Sequence, residues 1–330
     1  MSYATVLAES LSAVDSLAIV CHDNPDPDCL ASALALDRIA SDCGVEDRRI
    51  VYGGEVSHQQ NRAFVNMLSI DIHHANDVDV TAADCIAFVD HSVPGGNTTV
   101  PAHVRPDIVV DHHPTGEVNA PYTDVRSDYG ATATIFVEYL STLEIELDQR
   151  LATALLFALH RERLDFVRDP TRAEYEAALA VYERADLEDL HQLYGSAFTP
   201  ATIEAIGRAI RSRVRHGSVV VANVGQTTET DALPQAADYL LNVEGVNTVL
   251  TYGIVEGTVR LSARTNDPRD DVGGTLQEAF GDLGSVGGHH DMAGGRIDLG
   301  IFADIDDDAD GPALLDVLSH RIESRFFENV

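Results

Sequence analysis

Short unbroken apolar runs alternate with helical periodicity through the first half of the chain. Leu17–Cys21, Arg49–Tyr52, Cys85–Val89 and Asp107–Val110 read as strands, and Leu30–Ala40 and a segment from Ser57 to Leu68 read as helices between them. Continuous apolar strands separated by helices predict a parallel sheet with both faces covered, hence an α/β fold. Ala131–Leu143, Gln149–His160 and Arg172–Tyr182 follow as consecutive helices. Thr199 as N-cap and Pro200 at the first position open another helix, expected to run to about Arg215. The pattern then restarts with a strand at Ser218–Val224, a helix at Leu233–Leu241, and strands at Asn247–Val255 and Thr258–Ala263. A glycine-rich stretch, Gly281–Gly295, precedes a last strand and a terminal helix over Gly311–Phe326.

At 330 residues the chain exceeds the usual size of one core, so two domains are expected. The pattern places them at 1–195 and 217–330, with residues 196–216 as a connecting helix. The longest apolar runs, such as Leu151–Leu159, are far too short to span a bilayer. Met1–Ser10 reads as an amphipathic helix containing Glu9 rather than a leader. The expectation is a cytoplasmic protein with no membrane partner.

Charge changes the picture. There are 54 acidic residues against 22 basic ones, a net −32, and every basic residue is arginine. Dense carboxylates without lysine fit a cytoplasm holding molar salt, as in halophilic archaea, where self-repulsion is screened. No basic stripe is available for a long duplex, so small or short substrates are favoured. Cys21, Cys29, Cys43 and Cys85 form no CxxC pair and read as small hydrophobes in a reducing compartment. The acidic run Asp304–Asp310 reads as a solvated loop.

The candidate chemistry sits directly after three of the strands. Leu17–Cys21 runs into His22, Asp26 and Asp28; Cys85–Val89 into Asp90 and His91; Asp107–Val110 into Asp111, His112 and His113. Ligands of open parallel sheets collect at the carboxyl ends of the strands. Carboxylates and imidazoles crowded there call for a cation, and five or six of them exceed what one tetrahedral zinc needs. A pair of Mn²⁺ ions, with Mg²⁺ as the alternative, suits mixed oxygen and imidazole donors around a bridging carboxylate.

These segments resemble the first three motifs of the DHH phosphoesterases, His22-x-x-x-Asp26-x-Asp28, Asp90 and Asp111-His112-His113. The second half is similar to the associated DHHA1 substrate-binding domain, through Ser262-Ala-Arg264 and Gly287-Gly288-His289-His290-Asp-Met-Ala293-Gly294-Gly295. The resemblance implies a doubly wound parallel-sheet DHH domain, a smaller α/β DHHA1 domain, and an active site in the cleft between them. His22 and Asp26 would hold one Mn²⁺, Asp28 and His112 the other, and Asp90 would bridge both. His113 would stand beside the scissile phosphate as donor or general acid, with Asp111 orienting the imidazoles. Arg264 would grip a phosphate, and His290 would contact it from the loop of Gly287, Gly288 and His289. Two positions depart from the pattern. Glu162 stands where the fourth motif carries an aspartate, with Asp165 as the substitute ligand, and His289 replaces a third glycine.

The expected activity is hydrolysis of phosphoester bonds in short oligonucleotides or small nucleotides, as by nanoRNase and pAp phosphatase, through a two-metal-activated hydroxide. The alternatives are a RecJ-like single-strand exonuclease and a non-catalytic nucleotide-binding module with a degenerate metal site. The sequence is compatible with a homodimer.

Overall fold

The computed structural model describes residues 2–93, 98, 100–101, 103–114, 118–167, 169–195, 198–302 and 311–330. The acidic run Asp304–Asp310 lies outside the described residues. The chain divides into two compact units, Met1–Ala197 and Phe198–Val330.

The first unit is built on six parallel strands: β1 (Ser16–Val20), β2 (Asp47–Tyr52), β3 (Ile72–His74), β4 (Cys85–Val89), β5 (Ile108–Asp111) and β6 (Tyr122–Val125). Their order is β3-β2-β1-β4-β5-β6. The chain winds outward from β1 in one direction and from β4 in the other, so the order reverses between these two strands. That switch point is where loops diverge and ligands are bound in doubly wound sheets. Alternate strand residues serve two cores. Leu17, Ile19, Cys85, Ala87, Ile108 and Val110 face the helices α1 (Tyr3–Leu11), α2 (Pro27–Asp42), α3 (Gln59–Met67), α4 (Thr132–Thr142) and α5 (Gln149–Glu162). Ala18, Val20, Val51, Phe88 and Val109 face a smaller cluster with Val80, Val100 and Val104. Burial on both faces is what the apolar strand runs require, although short loops rather than helices supply much of the second cover.

Local sequence sets where these helices begin. Asp26 caps α2, accepting from the amides of Asp28 (3.0 Å) and Cys29 (3.1 Å), with Pro27 in the first turn. Asp148 caps α5 through the Leu151 amide at 2.7 Å. α6 (Arg172–Tyr182) opens with a capping box between Thr171 and Glu174, and α7 (Leu187–Gly195) completes the unit. The helix expected from Ser57 begins at Gln59, with His58 as its N-cap.

The second unit carries α8 (Pro200–Ser212), β7 (Val214–His216), β8 (Val219–Gln226), α9 (Ala232–Leu241), β9 (Thr248–Val255), β10 (Thr258–Thr265), α10 (Val272–Phe280), β11 (Ser285–Gly288), β12 (Met292–Asp298) and α11 (Gly311–Asn329). Its sheet runs β11-β12-β10-β9-β8-β7 and is antiparallel except for the β8–β9 pair. The helix expected to reach Arg215 ends at Ser212, and Val214–His216 pairs with β8 instead. The β-branched Val214 and its neighbours gain a strand's hydrogen bonds there. α8 itself lies within the second unit, where Ala205, Ile206 and Ala209 are buried against β8 and α9 residues. The glycine-rich stretch does not simply precede a strand. β11 and the start of β12 run through it, because Gly288 and Gly295 permit close approach: a Cβ at Gly288 would lie 2.4 Å from the Ala293 Cα, and one at Gly295 2.5 Å from Val286. α9 packs on one face of the sheet, and α10 and α11 on the other. Among the described residues no helix is long and apolar enough to cross a membrane.

Candidate metal centre

The three clusters that follow β1, β4 and β5 meet at the carboxyl end of the first sheet. Asp90 is the centre of the group. It leaves β4 with φ +63°, a left-handed conformation uncommon for a residue with a Cβ, while its amide still donates to the Val110 carbonyl at 2.9 Å. The turn aims its carboxylate back over the strand ends, a strained backbone of the kind found at functional sites. Oδ2 of Asp90 lies 3.5 Å from His22 Nε2, and Oδ1 lies 3.7 Å from His112 Nε2 and 3.8 Å from His113 Nδ1. His112 Nε2 is also 3.8 Å from Asp28 Oδ2, and His22 Nε2 is 4.0 Å from Asp26 Oδ1.

The rest of the fold holds these groups in place. The first turn of α4 meets two of the carboxylates. Amides of Thr132 and Ala133 donate to the two oxygens of Asp28 at 2.8 Å each, and the Thr132 hydroxyl donates to Asp90 Oδ1 at 2.7 Å. A helix N-terminus is a favourable neighbour for anions. Asp111 accepts from the Ser92 hydroxyl, from the His113 amide at 3.0 Å and from His113 Nδ1 at 2.9 Å, which fixes that imidazole. His22 Nδ1 faces the Asp23 carbonyl at 2.9 Å and His112 Nδ1 the Tyr129 carbonyl at 3.3 Å. A carbonyl accepts only, so Nδ1 carries the proton in each neutral ring, and Nε2 is the atom left to face the carboxylate oxygens.

In the neutral state a lone pair facing a carboxylate at 3.5–4.0 Å makes no hydrogen bond and repels, and without metal His22 relieves this by holding a second proton. Asp28, Asp90, Asp111 and His112 are 2%, 4%, 1% and 8% exposed, so water does not relieve them. A cation between these atoms does, since bonds of about 2 Å to one ion put its ligands about 3–4 Å apart. Among the described residues two sets of potential ligand atoms, each mutually within 4.8 Å, share Asp90: His22, Cys29 and Asp90, and Asp90, His112 and His113. The donor set therefore fits a divalent metal, with Asp90 common to both sets.

The electrostatics record the same crowding. Burial and then the Asp90 charge push the carboxyl of Asp28 well above the ordinary range and raise that of Asp26. Burial also opposes ionisation of Asp90, but His22, His112 and His113 outweigh it and hold its pKa low. Burial pulls His22 down, while Cys29, Asp90 and Asp26 more than offset it and raise its pKa. His112 is lowered by burial. Asp111 holds His113 protonated up to about 9. Glu162, at the end of α5, joins the group electrically: burial, then Asp26 and Asp90, push it up to about 7.

Asp165, the other candidate for the fourth position, faces elsewhere. It accepts from the Tyr194 hydroxyl and lies 3.0 Å from His160 Nδ1. His91 is buried with its Nδ1 on the Val89 carbonyl at 2.9 Å, stacks on Phe88 and meets the His22 ring edge-on; burial lowers it to about 4. Sequence reasoning missed Thr132 and Cys29. Thr132 lies about 40 residues after Asp90 in a segment read only as a helix start, and Cys29 was read as core. All four cysteines are free thiols. The candidates of the second half lie in the second unit. Arg264, Gly287, Gly288 and His289 line one cavity there, while His290 Nε2 meets the Pro268 carbonyl at 3.0 Å.

A model of the DHH family N-terminal domain matches residues 16–159, and a DHHA1 domain model matches residues 216–323. The chain carries a DHH domain followed by a DHHA1 domain. An uncharacterized protein of Methanocaldococcus jannaschii is 36% identical over 314 residues, covering 94% of this chain and 63% of that protein. The probable manganese-dependent inorganic pyrophosphatase of Lactobacillus johnsonii is 24% identical over 162 residues, 48% of this chain and 51% of that protein. The chain thus spans less than two thirds of either relative. Among solved structures, an exopolyphosphatase-related protein from Bacteroides fragilis superposes with a TM-score of 0.76 at 14% identity, covering 98% of this chain and 96% of that one. RecJ from Thermus thermophilus in complex with Mn²⁺ does so with a TM-score of 0.53 at 14% identity, covering 99% and 54%. At these identities the likeness is one of fold. The DHH domain occupies the first unit and contains the whole His–Asp cluster, and the DHHA1 domain falls within the second.

Proposed function

We propose that the protein is a divalent-metal-dependent phosphoesterase acting on short oligonucleotides or small nucleotides. The observation that carries this reading is the set of carboxylates and imidazoles, most of them buried, whose ligand atoms converge on Asp90 at 3.5–3.8 Å. His22 and Asp26 would hold one ion, Asp28, His112 and Glu162 the other, and Asp90 both. Such ions lower the pKa of water and neutralise phosphoryl charge. The chain's own groups then have distinct tasks. Thr132 and the α4 amides aim Asp28 and Asp90 and favour their charged forms. Protonated His113, oriented by Asp111, donates to the leaving oxygen. Arg264, with its guanidinium fork, binds phosphate. The metal named for the pyrophosphatases and RecJ supports Mn²⁺ as the first ion to try.

The test offers the 330-residue protein with Mn²⁺ adenosine 3′,5′-bisphosphate, a 5′-labelled RNA ladder, long single-stranded DNA and inorganic pyrophosphate side by side. Turnover confined to the bisphosphate and short oligomers supports the reading. Digestion of long DNA moves it to a RecJ-like exonuclease, turnover of pyrophosphate alone overturns it, and none despite bound metal makes the protein a binding module. Asp90→Ala should lose at least a thousandfold in turnover, about 4 kcal/mol, since both sets of ligand atoms lose their shared member.

A further inference from the structure

The second unit holds a cavity of about 640 Å³, well within the size range of small-molecule sites. Its floor is sheet surface that no helix covers. α9 packs over β9 and β10 but stops short of the two outer strands, while α10 and α11 take the opposite face through Leu261, Ala263 and Ala293. Alternation along β10 therefore turns Arg260, Ser262 and Arg264 toward the cavity. Gly294 and Arg296 of β12 and Ser285 and Gly287 of β11 extend the floor, and Thr230, Asp231, Leu233 and Pro234 at the start of α9 form a wall.

Two features of this floor have no explanation within the fold. Arg260 and Arg296 are direct cross-strand partners in the antiparallel register. Like charges so placed are destabilising. Arg296 Nε has Asp298 at 3.1 Å, and Arg264 already has Asp238 at 3.4 Å, the Ser262 hydroxyl and the Ala263 carbonyl. Among the described residues Arg260 Nε is buried and has no hydrogen-bond partner. Arg38 Nε and Arg163 Nε are likewise buried without a partner, but Arg260 also stands opposite another arginine in the strand register. The second feature is Gly287. A Cβ there would meet nothing within 4 Å and its φ is not left-handed, so neither packing nor backbone requires glycine. What glycine does is leave the floor bare beside the two arginines.

We infer that Arg260 and Arg296 form a phosphate-binding site on this floor, separate from the contact made by Arg264. A phosphate has enough oxygens to accept from both guanidinium groups at once, which converts the cross-strand repulsion into a clamp. The ligand is a nucleotide or short oligonucleotide carrying a phosphate beyond the one Arg264 holds. That ligand class rests on the phosphoesterase reading, whereas the anion site does not.

The experiment uses the full chain stripped of metal with EDTA, so that binding is read without turnover. A 5′-phosphorylated diadenylate is titrated by calorimetry into wild type, Arg260→Gln, Arg296→Gln and Arg172→Gln, the last an exposed arginine of α6 outside the cavity. Each cavity variant should bind about tenfold more weakly, and Arg172→Gln as tightly as wild type. Arg296 is exposed on the sheet face, so its variant keeps the fold even if loss of Arg260 disturbs it. Arg260→Lys, which keeps charge but not the fork, should recover only part of the loss. Wild-type affinity in both cavity glutamine variants, or no binding by wild type, overturns the site. Arginine-dependent binding without any Mn²⁺-dependent hydrolysis would leave the site standing and remove the phosphoesterase reading. Normal hydrolysis with unchanged KM in the variants would do the reverse.

Discussion

Replacing Glu162 by glutamine takes one carboxylate out of a cluster that already contains Asp26, Asp28 and Asp90. In the metal-free protein Glu162 titrates at about 7 against an ordinary 4.5, raised first by burial and then by Asp26 and Asp90. A carboxyl raised on folding favours the folded state at low pH and loses that contribution as pH climbs through about 7. At pH 8 the unfolded chain is fully ionised and the folded one must ionise against its neighbours, a penalty of about 3 kcal/mol; at pH 5 it is about 1 kcal/mol. Glutamine has no charge to lose. The first unit spans Met1–Ala197, a size for which 1 kcal/mol moves Tm by ~2–4 °C. Metal-free Glu162→Gln should therefore melt about 6–12 °C above wild type at pH 8 and only about 2–4 °C above it at pH 5. Excess Mn²⁺ should reverse the order, since wild type then gains a ligand the variant lacks. Melting curves in EDTA and in Mn²⁺ at both pH values decide the matter. A variant that is less stable than wild type at pH 8 without metal, or an equal difference at both pH values, would refute placing Glu162 among these carboxylates.

Two further outcomes follow from the same geometry. If protonated His113 donates to the leaving group, activity should fall as pH rises through about 9. Asp111→Asn removes the main support of that value and should move the alkaline limb at least one unit lower, whereas an unmoved limb would assign it to another group. The Cys29 thiol is buried and its pKa is pushed well above the ordinary value by burial, with Cys21 adding to it. It should resist iodoacetamide in the native protein and react only on unfolding; rapid native labelling would show a thiolate beside His22.

The parts of the fold legible in the sequence were those whose burial is dictated by local pattern. β1, β2, β4 and β5 are central or nearly so, and their apolar runs announce it. The edge strands β3 (Ile-His-His) and β6 (Tyr-Thr-Asp-Val) are short and polar, and they gain strand structure only from a neighbour. α10 begins Val-Gly-Gly, which opposes helix on propensity alone. Asp271 nevertheless caps it through the Gly274 amide, while the amides of Val272 and Gly273 bond the β11–β12 turn. The site was legible because each cluster directly follows an apolar strand, so chain position alone brings Asp90, His112 and His22 to one edge. Thr132, Cys29 and the Arg260–Arg296 pair depend on strand register and helix placement, which no periodicity reports.

Glu174 is fully buried in the capping box of α6, yet it reaches far beyond its own helix. One oxygen takes the Gly130 amide at 2.7 Å and the Thr134 hydroxyl at 3.3 Å, and the other takes the Thr171 amide at 2.6 Å. Gly130 and Thr134 flank Thr132 and Ala133, the residues that grip Asp28 and Asp90. A random-mutagenesis screen for lost metal binding would thus return Glu174 beside the proposed ligands. In such a screen this residue would be a false ligand, recognisable because excess metal restores occupancy for an anchor that has slipped but not for a donor atom that is gone.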